Sequence, residues 1–129
     1  MSRWFATLAA GVLLLLPVSA MAQGPAPADG WVARSAAELQ VLDKVTARVS
    51  VLRAPLNTPT PFGALSITVR ACNARPADEV PDAVAWMEIA DSRRPEATRV
   101  VFRGWMYANT PAANMLEHPV YDVRVLDCR

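Results

Sequence analysis

The one histidine of the chain, His118, stands between Glu117 and Pro119. Histidine is the most frequent general acid or base in enzymes, and Asp122 or Asp127 could orient its ring in a Ser-His-Asp arrangement. No serine lies in a nucleophile-elbow motif, so a small hydrolase using His118 with a nearby carboxylate is our alternative interpretation. Our first interpretation is structural: the following proline favours an extended backbone, and the ring would hydrogen-bond the backbone at the start of the last strand.

Three residues with alternating spacing, Arg103, Trp105 and Tyr107, would share one face of a β-strand, with Phe102 on the opposite face. Aromatic side chains in strands commonly pack in a core, but a pair beside an arginine can also line a ligand or peptide groove. The sequence leaves both interpretations open. The residues that we single out as candidate binding residues are Arg103, Trp105, Tyr107, His118 and Tyr121.

Three acidic residues, Asp78, Glu79 and Asp82, are typical of a solvated loop. A pair of glycosidase carboxylates is defined by a distance, which the sequence does not contain. A calcium loop needs glycine at its sharp turn, whereas Pro76 and Pro81 bracket this segment. There is also no glycine-rich phosphate loop and no CxxC pair. We therefore predict no metal site and no cofactor, and we assign no catalytic residue.

The first 22 residues have the pattern of a secretory signal peptide. Arg3 precedes an apolar run over residues 8–16, and Ala20 and Ala22 form an A-x-A cleavage site. The run is too short to span a bilayer, so no transmembrane segment is expected after cleavage. We expect the mature chain to begin at Gln23 and to be secreted into the periplasm.

Charge narrows the class of partner. Loss of Arg3 with the signal peptide lowers the formal net charge from +1 to zero. A neutral domain has no general electrostatic attraction for nucleic acid or anionic lipid. An envelope protein is the class of partner that we consider instead.

The two cysteines, Cys72 and Cys128, are expected to form a disulfide in an oxidising compartment. Closing a loop of about 56 residues should stabilise the fold by roughly 4 kcal/mol in the chain-entropy model. Alternate residues of a strand lie on the same face, so Cys72 shares a face with Thr68 and Arg70, and Cys128 shares one with Arg124. The pattern therefore predicts a bond that joins two strand ends outside the core.

The start of the mature chain reads as a leader or linker over residues 23–37, followed by a β domain over residues 38–129. Ser35 and Glu38 fit a capping box and predict a short helical turn. A period of two then predicts strands over residues 45–51, with its valines buried, and over residues 65–71.

The second half of the chain contains three further apolar segments. Residues 83–90 fit either a buried strand or a short helix, and residues 98–107 form a strand in which Gly104 predicts a bulge or a close approach. The last strand covers residues 120–128 and is expected to pair with residues 104–107 or to lie close to them. We predict a mostly β fold, a small antiparallel sandwich or barrel of five to six strands with one disulfide.

Four sequence blocks resemble those of a known group of proteins. They are LDKVTAR (residues 42–48), FGALSITVRAC (62–72), GWMYA (104–108) and LEHPVYDV (116–123). They are similar to a family of small exported alphaproteobacterial proteins defined by a domain of unknown function, over about residues 40–128. The resemblance implies a Gram-negative periplasm; it implies no activity, and no catalytic residue is carried over from it.

These observations favour a periplasmic, non-catalytic binding or envelope-interaction module. The alternatives are the small hydrolase and a structural subunit of an envelope complex. A hydrolase needs His118 in a concave pocket, a binding module needs an exposed aromatic face, and a subunit needs a large apolar patch.

Overall fold

A computed structural model describes residues 30–129 and shows a sandwich of two antiparallel β-sheets. Two 3₁₀ turns, Glu96–Thr98 and Pro111–Ala113, lie in connections. The predicted mostly β fold with one disulfide is confirmed, as a sandwich and not as a closed barrel. The strands are β1 (Val32–Ala33), β2 (Ala36–Asp43), β3 (Arg48–Pro55), β4 (Thr60–Phe62), β5 (Leu65–Ala74), β6 (Ala83–Asp91), β7 (Val100–Tyr107) and β8 (Tyr121–Cys128).

The larger, five-stranded sheet has the order β1-β5-β6-β7, and β4 also pairs with β5. The smaller, three-stranded sheet has the order β3-β2-β8. β1 and β4 are two and three residues long, too short to produce a periodic pattern. The sequence misses these two strands and also β2, where it predicts a helical turn, so it predicts fewer strands than the structure contains.

The core fills the space between the two sheets. Its largest fully buried side chains include Leu39 and Val41 from β2, and Ile67, Met87 and Ile89 from β5 and β6. The longer strands contribute alternate residues over most of their length, as a sheet with one buried face requires. The segment 83–90, left open by its sequence pattern, is therefore a strand, β6, paired on both sides.

The helical turn predicted from Ser35 and Glu38 is wrong. Ala36 begins β2, and Ser35 Oγ donates a hydrogen bond to the carbonyl oxygen of Arg129 at 3.2 Å instead of capping a helix. β2 is the central strand of its sheet, so its backbone pairs with β3 on one side and β8 on the other. Tertiary pairing on both edges outweighs the weak local signal of a capping box.

The alternation at residues 45–51 is present, but its predicted buried face is wrong. Val45 lies in the turn before β3, and Val49 and Val51 are 58% and 60% exposed. The opposite face of β3 packs inward, because the register pairs Leu52 with Leu39 of β2. A shift of one residue exchanges the two faces of a strand, so only the pairing register decides which face is buried.

The predicted position of the disulfide outside the core is wrong, because β-bulges precede both cysteines. The β5–β6 register shifts between Val69 and Ala71, and the β2–β8 register shifts so that Leu126 has no partner. Each extra residue reverses the parity beyond it. Cys72 and Cys128 are consequently 1% and 3% exposed and belong to the core. The predicted Cys72–Cys128 pairing is confirmed, and the bond joins the two sheets.

Gly104 marks a close approach, not a bulge. The bulge in β7 lies at Val101, where the register with β6 shifts. Gly104 has φ +155°, and a Cβ atom there would lie 3.0 Å from Nδ2 of Asn114. That amide donates to the carbonyl oxygen of Trp105 at 2.9 Å, so the connection after β7 folds back onto the strand.

We predict that the double variant Cys72→Ala, Cys128→Ala loses about 4 kcal/mol of unfolding free energy, because the unfolded chain regains the freedom of a 56-residue loop. Urea unfolding of the oxidised wild type and of the variant measures this difference. Thiol labelling of the unfolded, unreduced wild type should find no free cysteine; two reactive thiols would contradict the bond.

Candidate functional site

The structure separates the five candidate binding residues into two places. Arg103, Trp105 and Tyr107 lie on the outer face of the five-stranded sheet, whereas His118 and Tyr121 are buried between the sheets. Residues 104–107 do not pair with the last strand, because β7 pairs with β6, and β8 pairs with β2 in the opposite sheet. The two strands do lie close to each other, as expected, since Met106 of β7 and Val123 of β8 line the same small cavity.

Both ring nitrogens of His118 are used inside the protein. Nδ1 accepts hydrogen bonds from the backbone N–H groups of Val120 and Tyr121, at 3.0 and 3.2 Å. Nε2 lies 2.8 Å from Oδ2 of Asp91, the last residue of β6. Because a backbone N–H can only donate, Nδ1 is the acceptor, and Nε2 carries the proton that is donated to the carboxylate.

Asp91 is the carboxylate that sequence analysis missed. Its side chain is 5% exposed, and its second oxygen accepts the backbone N–H of Arg93 at 2.9 Å. The hydrogen bond from His118 holds the pKa of this carboxyl below its ordinary value of 3.8, the Arg93 N–H and charge act in the same direction, and burial opposes them. Asp91 precedes His118 by 27 residues and reads as part of a charged turn, so no local pattern identifies it.

Tyr121 completes the buried cluster around His118. Its ring lies 5.2 Å from the His118 ring and 5.9 Å from Phe62, and its hydroxyl accepts the N–H of Ala64 at 3.3 Å. Gly63 has φ +54°, and a Cβ atom at this position would overlap the Tyr121 hydroxyl. The β4–β5 turn thus closes over the start of β8 only because residue 63 has no side chain.

This arrangement has the components of a catalytic His–Asp pair, but both ring nitrogens already have partners within the protein. A general base needs a nitrogen lone pair within hydrogen-bond reach of a substrate proton. In His118 one nitrogen is protonated toward Asp91, and the other faces two backbone donors. Neither Asp122 nor Asp127, the partners considered from sequence, is bonded to the ring. The geometry supports the structural interpretation, in which His118 holds the first residues of β8.

The outer face of the five-stranded sheet has a different character. Trp86 of β6 stands directly opposite Trp105 of β7, and both side chains are half-buried. Tyr107, two residues further along β7, is 38% exposed. The sequence contains an indirect signal for Trp86, because Trp86 and the charged Glu88 are two residues apart and so lie on the same face of a strand. Since apolar residues occur on both faces of segment 83–90, the pattern did not show which face is outward.

A row of charged residues borders these aromatic side chains. Glu88 of β6 stands opposite Arg103, and its carboxylate lies 3.6 Å from that guanidinium and 3.8 Å from that of Arg70. Both distances are those of loose surface ion pairs. One carboxylate between two arginines leaves a net positive charge beside the aromatic residues. We call Trp86, Trp105 and Tyr107, with Arg70, Glu88 and Arg103, the aromatic face.

Residues 30–129 contain no group of three His, Cys, Asp or Glu side chains placed to hold a metal ion. Within the same range, no helix has the length and hydropathy needed to cross a membrane. A groove of about 480 Å³ lies near the disulfide, but the acids that line it are already engaged; Asp82, for example, accepts the N–H groups of Ala83 and Asn109.

We predict that Asp91→Asn lowers the unfolding free energy at pH 7 by about 2 kcal/mol, because an amide cannot accept from both His118 and Arg93. The pKa of Asp91 is lower in the folded state, so its contribution is complete above about pH 4 and is lost as the pH falls through the folded pKa. Urea unfolding from pH 7 to pH 2 should show the stability difference between the two proteins becoming smaller as the pH falls below about 4. The control Asp122→Asn changes a half-buried carboxylate whose ion pair with Arg124 is a loose 3.8 Å contact, and it should stay close to the wild type. Equal stability of Asp91→Asn and wild type at pH 7 would contradict the role of Asp91.

Comparison with known proteins places this domain in a bacterial family. A curated relative is "Uncharacterized protein RP359" of Rickettsia prowazekii, 27% identical over 89 residues, which cover 67% of this chain and 56% of the relative. The chain therefore spans little more than half the length of that relative. No solved structure matches. The family DUF2155, described as an uncharacterized protein conserved in bacteria, matches residues 37–128, which confirms the resemblance to a family of unknown function, and the chain belongs to this family.

Proposed function

We propose that this protein is an exported, periplasmic, non-catalytic binding module, and that the aromatic face is its binding surface. The observation that supports this most directly is the pairing of Trp86 with Trp105 on the outer side of a sheet. Both residues lie on the side opposite the core, so packing between the sheets does not account for them. Aromatic side chains contribute large contact areas to binding sites and have a small entropy cost on ordering.

The buried cluster supports the non-catalytic part of the proposal. His118 is 6% exposed, and its two nitrogens hold Asp91 and the start of β8. Use of this ring as a base would require the hydrogen bonds that position β8 to break. The geometry of His118, the base that a hydrolase would need, therefore disfavours the hydrolase alternative.

One observation favours the alternative of a structural subunit. β3 is the edge strand of its sheet, and its exposed face carries Val49 and Val51, with Val45 in the preceding turn. An edge strand with exposed valines can pair with another protein. We rank this second because Arg48 and Arg53, at either end of the valines, are the type of charged residue that protects an edge from such pairing.

Export is supported by the sequence pattern and by the disulfide. The signal peptide that the sequence predicts over residues 1–22 lies outside the described residues. The Cys72–Cys128 bond is buried and joins both sheets, and such bonds form and persist in oxidising compartments such as the periplasm.

We predict that the protein recovered from the periplasm begins at Gln23, because Ala20 and Ala22 form the cleavage site. N-terminal sequencing of the periplasmic fraction measures this directly. The variant Ala20→Arg, Ala22→Arg should accumulate as an uncleaved precursor. Recovery of periplasmic wild type that retains Met1 would refute cleavage.

We predict that His118→Gln folds, loses about 1–3 kcal/mol of stability, and retains the partner that the wild type captures, since glutamine can replace only part of the hydrogen bonding. Affinity capture from periplasmic extract, read by mass spectrometry, compares this variant with Trp105→Ala and with the control Arg53→Gln, which changes the other sheet. The proposal expects capture to be lost only in Trp105→Ala. A folded His118→Gln protein that selectively loses an enzymatic activity of the wild type would overturn it.

A further inference from the structure

We infer that the ligand of the aromatic face is an acidic glycan, a chain of pyranose rings that carries carboxylates. This inference rests on the proposed function, because it names the class of ligand for the same surface. It follows from three properties of the face: the spacing of its aromatic residues, the charge beside them, and the state of the neighbouring sheet edge.

The aromatic residues are spaced for neighbouring rings of a flat ligand. Trp86 and Trp105 are cross-strand partners, so their Cβ atoms lie about 5 Å apart. Tyr107 follows Trp105 by two residues on the same strand, about 7 Å further along. A pyranose ring has an apolar C–H face that packs on an aromatic ring, as other apolar groups do. The two indoles, side by side across the sheet, offer contact to consecutive sugars of a ligand that lies across it, and the Tyr107 phenol offers a further contact beside Trp105.

The charged row favours an acidic ligand over a neutral one. Arg103 has a side chain that is 58% exposed, and its contact with Glu88 is 3.6 Å, longer than a hydrogen bond. Its guanidinium carries five N–H donors in a planar fork, the geometry that binds a carboxylate with two hydrogen bonds. Arg70, on the other side of Glu88, adds a second positive charge, so the row keeps an excess of +1 for an anion.

The free edge of β7 disfavours a peptide that adds as a new strand. Asn114 already donates to the carbonyl oxygen of Trp105, so the backbone acceptor nearest the aromatic residues is occupied. Trp86 lies one strand further in, and its strand pairs with β5 and β7. A strand added at the edge would not cover Trp86, whereas a ligand lying across the sheet would contact Trp86, Trp105 and Arg103 through side chains alone.

The test uses isothermal titration calorimetry on the purified, disulfide-bonded protein with three probes. The first is a β-1,4-linked hexamannuronate. The second is mannohexaose, which has the same linkage and length but a hydroxymethyl group in place of each carboxylate. The third is an extended acidic peptide of alternating glutamate and valine.

We expect the hexamannuronate to bind, mannohexaose to bind about fivefold more weakly, and the peptide not to bind. Trp86→Ala and Trp105→Ala should each weaken hexamannuronate binding about tenfold, and Trp105→Tyr should restore part of it. Arg103→Gln should remove the preference for the acidic sugar, and 0.5 M salt should do the same. The control Arg53→Gln has the same charge change on the other sheet and should bind as the wild type does.

Thermal unfolding of each variant distinguishes loss of binding from loss of fold. If Trp105→Ala does not fold, the binding of Trp105→Tyr is compared with that of the wild type instead. Failure of both sugars to bind, equal binding of the two sugars, or binding of the peptide alone would overturn the inference. If neither sugar binds but a partner captured from periplasmic extract depends on Trp86 and Trp105, the proposed function stands and the acidic glycan is wrong. If neither partner capture nor sugar binding changes when Trp86 or Trp105 is replaced, the proposed function and the acidic-glycan inference are both wrong.

Discussion

The buried hydrogen bond between Asp91 and His118 is the constraint that positions the start of β8 against the opposite sheet. It joins the last residue of β6, in the five-stranded sheet, to His118, which lies three residues before the start of β8, in the three-stranded sheet. The other ring nitrogen accepts the N–H groups of Val120 and Tyr121, so the same side chain sets where β8 begins. The Cys72–Cys128 bond attaches the far end of β8 to β5. One strand is thus anchored to the opposite sheet at both ends.

This anchoring separates the polar chemistry of the protein into two parts. The interior part, Asp91 and His118, is fully engaged in holding the sheets together, and unpaired polar groups in that position would be costly. The exterior part, around Trp86, Trp105 and Arg103, takes no part in joining the sheets. Its side chains have loose ion pairs and partial exposure, so they can change partners at little cost in stability.

Strand parity shows where sequence patterns are reliable and where they fail. The alternation of Leu65, Ile67 and Val69 predicts their burial correctly, because β5 is regular over that stretch. Beyond Val69 the same count fails, since a bulge adds one residue and turns Cys72 inward. In β3 the predicted alternation is present, but the face predicted to be buried is the exposed one. Local spacing therefore predicts a strand, and its neighbours decide the direction of its side chains.

The sequence by itself determined the β class, the location of the last strand, the Cys72–Cys128 pair and the common face of Arg103, Trp105 and Tyr107. All of these depend on local alternation or on a simple count of cysteines. Only the tertiary structure decided that Asp91 is the partner of His118, that Trp86 stands beside Trp105, and that both cysteines are buried. These features come from strand pairing and bulges, which bring together residues far apart in the chain and leave no periodic signal in the sequence.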